Sequence, residues 1–158
     1  MDGFVLSPGM MLHGGSYRII RFISSGGFGC TYEAEQVLLG ERVAIKELFL
    51  RDFCMRGEDG SISVMTEEKR PLTQRIREKF IDEARALRRM SHPGIVRLTD
   101  VFEDNNTAYY TMDYVDGASL NDIVKTRGPL PEALALRYIR QVADTLRGAL
   151  SRALLKKS

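Results

Sequence analysis

The sequence has no tryptophan, only two histidines and only two cysteines among its 158 residues. Cys30 and Cys54 do not form a Cys-x-x-Cys pair, and His13 and His92 lie far apart in the chain. No metal site can therefore be read from the sequence, and a disulfide framework is not expected. Free thiols without such a framework indicate a reducing compartment, so we expect a cytoplasmic protein without metal ligands in this chain.

Long hydrophobic runs and an excess of one charge are also missing. No stretch approaches the roughly 18 apolar residues of a membrane span, and the N-terminal MDGFVLSPGMML has no basic region leading into an apolar one. The 23 basic and 21 acidic residues give a net charge of only +2. Such a balance argues against a nucleic-acid partner and against membrane contact. The composition is typical of a soluble domain with a hydrophobic core.

The first half of the chain and a later stretch have the alternation of β-strands. Residues 17–23 are rich in β-branched and aromatic side chains, and similar stretches follow at 30–37 and 42–49. Two more strands are predicted at 95–103 and 107–115, on either side of an Asp-Asn-Asn turn. We expect a five-stranded antiparallel sheet in an α+β protein.

Three helices are predicted from apolar spacing. Residues 72–90 form an amphipathic pattern that ends at His92-Pro93-Gly94, with apolar positions at Ile76, Phe80, Ala84 and Leu87. A short helix is expected near 119–124, and a long one from Pro131 to about Lys157. The long C-terminal helix repeats an apolar residue every fourth position, at Leu134, Tyr138, Val142, Leu146, Leu150 and Leu154.

Glycines crowd between the first two strands, at Gly26, Gly27 and Gly29. A plain hairpin turn explains them, and so does a flap over phosphate, because glycine lacks Cβ and lets backbone amides approach phosphate oxygens. A dinucleotide-binding Rossmann site would need a helix after the glycines, and a Walker loop would need a closing Gly-Lys-Ser/Thr. Neither is present in this sequence.

The third strand contains Val43-Ala44-Ile45-Lys46. Strand alternation places Ala44 and Lys46 on one face and Ile45 on the other. A small residue beside a cation suits a flat ring lying against the strand, with a phosphate within reach of the amine. Taken alone, Lys46 is an ordinary solvated strand lysine, and only the surrounding motifs favour a phosphate-binding role.

In this order, the glycine stretch, VAIK, the helix leading into SHPGIVRL, and YYTMDYVDGASL resemble the N-terminal lobe of eukaryotic-type protein kinases, from about Tyr17 to about Leu146. The resemblance points to bacterial serine/threonine kinases in particular and implies ATP as the nucleotide. It gives catalytic roles to Lys46, which binds phosphate, and to Glu83, which pairs with that lysine. It assigns nucleotide contacts to Ile23, Ser24, Ser25, Gly26, Gly27, Phe28, Gly29, Thr31, Ala44, Lys46, Met112, Asp113, Val115 and Ser119.

Several of these positions carry a specific role in the resemblance. Ser24 stands where the first glycine of the loop usually is, and Thr31 replaces the valine that packs on adenine. Met112 resembles the gatekeeper, while the backbone of Asp113 and Val115 would bind the adenine edge. The resemblance also implies that residues 1–116 form the N-terminal lobe and that 117–158 begin the C-terminal lobe.

The sequence departs from the family in two places. Residues 50–72 form an insertion with an Asp59-Gly60 hairpin signal, most simply a tolerated surface segment, otherwise a partner contact or a support for the first helix. No residues match the catalytic Asp and Asn or the Asp-Phe-Gly motif that holds Mg²⁺. Arg51-Asp52-Phe53 is a false match, because it precedes the first helix, whereas the family's motifs follow the long C-terminal one.

The resemblance therefore implies a parent kinase that transfers the γ-phosphate of ATP to protein hydroxyls, with Mg²⁺ ligands absent from this chain. We expect the 158-residue chain itself to be inactive and its long C-terminal helix to favour a homo-oligomer. The alternative is a non-catalytic, pseudokinase-like interaction module. Sequence beyond residue 158 separates the two, since a catalytic loop there favours the enzyme.

Overall fold

A computed structural model describes residues 3–155, and side chains as far as residue 149. The strands are β1 Met11–Leu12, β2 Tyr17–Gly26, β3 Gly29–Gln36, β4 Glu41–Leu48, β5 Cys54–Arg56, β6 Ile62–Val64, β7 Leu98–Asp104 and β8 Thr107–Asp113. The helices are a 3₁₀ turn at Glu67–Lys69, α1 Arg70–Arg88, α2 Leu120–Arg127 and α3 Glu132–Leu155. The predicted α+β class is confirmed.

The main sheet is antiparallel, with the strand order β1-β2-β3-β4-β8-β7. All five predicted strands belong to it, and the sheet gains a sixth strand, β1, which pairs Met11 with Arg18. A strand of two residues is too short to show alternation, so the sequence could not indicate it. The predicted hairpin around Asp59-Gly60 is confirmed as the separate two-stranded sheet β5–β6.

The N-terminal segment covers one face of the main sheet. Leu6 and Leu12 are almost fully buried, and they join a cluster that includes Tyr32, Ile45 and Tyr109 of the sheet. Each fully buried leucine contributes roughly 1.5–3 kcal/mol to stability. The segment before the first predicted strand is therefore part of the core.

Helix α1 covers the opposite face. Phe80 and Ala84 are buried there, and the Phe80 ring stacks on Tyr110 of β8 with 5.0 Å between centroids. The apolar stripe predicted for this helix is thereby confirmed. Cys54 and Ile62 of the β5–β6 hairpin are buried in the same cluster, at 4% and 6% exposure. The interpretation of residues 50–72 as a tolerated surface insertion is therefore wrong, because the hairpin supplies core side chains.

The described chain divides into two compact units. The first runs to Arg88 and includes Leu98–Tyr114, and the second comprises Arg89–Arg97 and the residues from Val115 onward. In the second unit, the ring Nδ1 of His92 accepts a hydrogen bond from the Gly94 amide at 3.0 Å, in the turn predicted after α1. The lobe boundary predicted at residue 116 stays a prediction.

Helix α3 exposes part of its predicted apolar face. Val142 and Leu146 are 55% and 56% exposed, whereas the side chains of Leu150 and Leu154 lie outside the described residues. Self-association through this face stays a prediction. Between residues 3 and 155, none of the helices has the length and apolar character that crossing a membrane requires.

Candidate functional site

Lys46 lies in the middle of the sheet. Its strand β4 pairs with both β3 and β8, and Lys46 stands opposite Thr31 on one side and Tyr110 on the other. The side chain is half-buried, with Nζ 5.7 Å from the centre of the Tyr110 ring. Because Tyr110 packs against α1, the amine lies on the face of the sheet that this helix covers.

Three more predicted residues share this face with Lys46. The strand register pairs Thr31 with Lys46 and Ala44 with Met112, and directly opposed residues point to the same face of a sheet. Ile45 is fully buried on the other face, as the alternation predicts. The small side chain of Ala44 beside a half-buried Met112 provides a flat, mostly apolar surface next to the amine.

The glycine stretch forms a tight hairpin at the end of β2 and β3. Gly26 pairs with Gly29, which leaves Gly27 and Phe28 as a two-residue turn, with Phe28 63% exposed at its tip. A Cβ added to Gly26 or Gly27 would meet no atom within 4 Å, so the space beside their backbone is open. Ser24 and Ser25 precede this turn, and Ile23 before them is 39% exposed. Their nucleotide contacts stay predictions.

Glycine is required at position 29 for a different reason than at positions 26 and 27. Its φ is +151°, and an added Cβ would lie 1.8 Å from the backbone oxygen of Glu47 in β4. The turn is also tied to the residue that follows β4, because the Phe49 amide donates a hydrogen bond to the Phe28 backbone oxygen at 3.2 Å. Gly29 is therefore needed for close strand packing, whereas Gly26 and Gly27 leave room for a ligand.

The two predicted catalytic side chains, Lys46 and Glu83, lie on different elements. Glu83 is exposed on α1, whose buried stripe passes through Phe80 and Ala84. Across the described part of the chain, no ion pair within 4.0 Å joins Lys46 to Glu83. Glu83 therefore lies at the edge of the α1 surface that packs against the sheet, and not within that surface. The pairing of Glu83 with Lys46 stays a prediction.

A buried cluster that the sequence reading missed surrounds Glu47. This carboxylate is fully buried on the face opposite to Lys46, where it accepts hydrogen bonds from the hydroxyls of Tyr32 at 2.9 Å and Tyr109 at 2.8 Å. Arg56 of the hairpin pairs with it at 2.6 Å, and the Arg56 side chain is only 4% exposed. Burial raises the pKa of both tyrosines, and the charge of Glu47 raises it further. These hydroxyls therefore act as neutral donors.

The same cluster joins three parts of the chain. Arg56 also donates to the backbone oxygens of Phe4, at 3.1 and 3.0 Å, and of Gly60, at 2.9 Å. The Leu6 amide donates to the Tyr32 hydroxyl at 3.1 Å. The N-terminal segment and the hairpin are thus fixed to the strand residue that follows Lys46. The sequence contains one feature that indicates a buried Glu47: Val43, Ile45 and Glu47 alternate on one face of the strand, so an acid stands among apolar residues.

A second acid, Glu33, lies on the same face of the sheet as Ala44 and Lys46. It stands opposite Ala44, is 5% exposed, and pairs with Arg21 at 2.7 Å and Arg42 at 2.6 Å. Burial alone would raise the pKa of Glu33, but the hydrogen bond from Arg42 and the charges of both arginines outweigh it, so the pKa lies below its usual value. Arg42 also stacks on the Tyr114 ring at 4.2 Å.

The remaining predicted contacts belong to other strand ends and to the second unit. Asp113 ends β8 opposite Val43. Val115 is 65% exposed, and Ser119 is the N-cap of α2. The Ser119 hydroxyl accepts from the Asp122 amide at 3.1 Å and donates to its carboxylate at 2.6 Å, which occupies it in capping the helix. Their nucleotide contacts stay predictions.

The protein kinase domain family matches residues 17–153 of this sequence. The serine/threonine-protein kinase pkn2 of Myxococcus xanthus is 34% identical over 142 residues, which are 90% of this chain and 15% of that protein. The serine/threonine-protein kinase PrkC of Bacillus subtilis is 30% identical over 132 residues, 84% of this chain and 18% of that protein. The chain therefore spans less than a fifth of either relative.

Solved structures have the same fold. The apo form of PpkA-294 superposes with a TM-score of 0.74 at 31% identity, covering 78% of this chain and 43% of that one. A single mutant of the Mycobacterium tuberculosis PknI kinase domain gives a TM-score of 0.70, covering 94% of this chain and 53% of that one. At 22% identity, the second likeness concerns the fold alone.

Proposed function

Because the chain belongs to the protein kinase family, we propose that it forms the ATP-binding lobe of a serine/threonine protein kinase. One observation carries this proposal: Lys46 shares one face of the sheet with Ala44 and Met112, and its strand β4 pairs with β3, which begins at the open glycine turn. Adenine would lie against Ala44 and Met112. The phosphates would extend toward the amine, and the backbone N–H groups of the turn would bind their oxygens.

The ammonium group of Lys46 would orient the phosphates and offset part of their negative charge. Glu83 remains the proposed partner that orders this long side chain. The pairing would require the Glu83 carboxylate to come within ion-pair distance of the Lys46 amine. Because the neighbouring Phe80 and Ala84 are already buried against the sheet, such a change would lie in the Glu83 rotamer more than in the position of α1.

Kinases use Mg²⁺, which neutralises phosphate charge when it is bound. In the part of the chain whose side chains the structure describes, no three His, Cys, Asp or Glu residues are grouped to hold a metal ion. We therefore assign the metal ligands to none of these described residues. We propose that the 158-residue polypeptide binds ATP weakly and transfers no phosphate to protein hydroxyls. The parent protein, by contrast, binds ATP and transfers its γ-phosphate.

Adding ATP with Mg²⁺ to the ¹⁵N-labelled chain should shift the amide signals of Gly26 and Gly27 saturably, without phosphate release. Lys46→Met should weaken binding about tenfold, because hydrogen bonds to charged groups are worth roughly 1.5–3 kcal/mol. Lys79→Met, which alters an exposed lysine on α1, is the matched control and should bind like the wild type. Unchanged affinity in Lys46→Met would contradict the proposed site. Phosphate release that Lys46→Met abolishes would contradict the predicted inactivity.

A further inference from the structure

Glu33 and two arginines form a charged cluster across β2, β3 and β4. One oxygen of the buried Glu33 carboxylate accepts from Arg42, through Nε at 2.8 Å and Nη2 at 2.6 Å, and the other pairs with Arg21 at 2.7 Å. Glu33 stands directly opposite Ala44 in the strand register. The cluster therefore adjoins the surface against which adenine is proposed to lie.

The same two arginines also hold the side chain of Tyr114. The guanidinium group of Arg42 lies over the Tyr114 ring, 4.2 Å from its centre, and Nη2 of Arg21 donates a hydrogen bond to the Tyr114 hydroxyl at 3.1 Å. A guanidinium group is attracted by the negative face of an aromatic ring. Because Glu33 fixes both arginines, it also fixes the two groups that hold the tyrosine.

Tyr114 stands where the chain leaves the sheet. Strand β8 ends one residue earlier, at Asp113, whose partner in β4 is Val43. The two backbone positions predicted to bind the adenine edge, Asp113 and Val115, lie on either side of Tyr114 in the sequence. Segments beyond a strand end are ordinarily more mobile than the strand. A backbone that is already fixed spares the ligand part of the cost of ordering it.

We propose that Tyr114 is a positioning residue for the adenine of ATP. It acts through the backbone: with its ring held by Arg42 and its hydroxyl held by Arg21, the end of β8 at Asp113 stays where the adenine edge would meet it. The inference rests on the function proposed above, since without ATP on this face of the sheet there is no adenine to position.

Titrations of the ¹⁵N-labelled chain with ATP, adenosine and tripolyphosphate separate positioning from general stability. In Tyr114→Leu, ATP and adenosine should bind about fivefold more weakly, because fewer molecules hold the backbone in the binding arrangement. Saturable shifts of the Ala44 and Met112 amides report adenosine. Tripolyphosphate, reported by the amides of Gly26 and Gly27, should bind as it does to the wild type.

Two milder variants test the same contacts one at a time. Tyr114→Phe keeps the ring over Arg42 and loses only the hydroxyl, so adenosine should bind about twofold more weakly. Arg42→Gln removes the stacked cation and should weaken adenosine about threefold. Arg18→Gln is the matched control for Arg42→Gln and should change nothing. Arg18 also pairs with a glutamate of β3, Glu35, and is 54% exposed, against 50% for Arg42.

The outcomes distinguish this inference from the proposed function. If Tyr114→Leu binds all three ligands like the wild type, or loses affinity for all three equally, the positioning role is overturned while the nucleotide site stands. Should Tyr114→Leu not fold, the same comparison is decided by Tyr114→Phe and Arg42→Gln. The absence of saturable shifts with ATP in the wild type would refute the proposed function, and the positioning role with it.

Discussion

Replacing Arg56 with methionine is expected to lower the free energy of unfolding by about 3–5 kcal/mol, because it leaves a buried carboxylate without its counter-charge. Glu47 has no exposed surface, and Arg56 is its cationic partner at 2.6 Å. The two tyrosine hydroxyls that remain are donors without charge. Since domains of this kind have total stabilities of about 5–15 kcal/mol, the variant should lose a large share.

Urea unfolding followed by circular dichroism measures this loss, and Arg70→Met is the matched control. Arg70 also pairs with a glutamate at 2.6 Å, but both side chains are more than half exposed, so little change is expected. Adding Glu47→Gln to Arg56→Met should restore part of the stability, because the unpaired charge is removed. If Arg56→Met unfolds at the same urea concentration as the wild type, the cluster does not hold the hairpin.

The second large effect is expected at Gly29. Gly29→Ala should lower the free energy of unfolding by about 3 kcal/mol or more, because the added Cβ meets the Glu47 backbone oxygen at 1.8 Å and the φ of +151° disfavours an L-residue. Neither strand can move aside without breaking the β3–β4 pairing.

Gly27→Ala is the matched comparison, since it adds the same methyl group where nothing lies within 4 Å. Its stability should change by less than about 1 kcal/mol. Thermal unfolding of both variants measures the difference. Equal melting temperatures of the two variants would contradict the conclusion that Gly29 is needed for strand packing whereas Gly27 is not.

The sequence predicted the elements that carry strong periodicity. Alternation located the five long strands and placed Lys46 and Ile45 on opposite faces, and the apolar spacing of α1 identified Phe80 and Ala84 as buried. These patterns succeed because one face of each element is covered by a neighbour.

What escaped prediction depends on contacts between distant segments. Glu47 could be recognised as an acid on an apolar face, but its partner Arg56 comes from a hairpin whose docking no local pattern records. Whether Glu83 pairs with Lys46 depends on the rotation and position of α1 against the sheet, which spacing along the helix leaves open. The contacts of Tyr114 with Arg21 and Arg42 likewise join residues that lie far apart in the chain.

An ATP derivative with an acyl group on its terminal phosphate tests the central claim most directly, because an amine held beside the phosphates attacks the acyl carbonyl and releases ATP. Mass spectrometry of the treated chain should find the acyl group mainly on Lys46, with labelling suppressed by excess ATP. Lys69 and Lys79 serve as internal controls and should be labelled weakly, without protection. Labelling spread evenly over the lysines, or unaffected by ATP, would contradict the assignment of this sheet face as a nucleotide site.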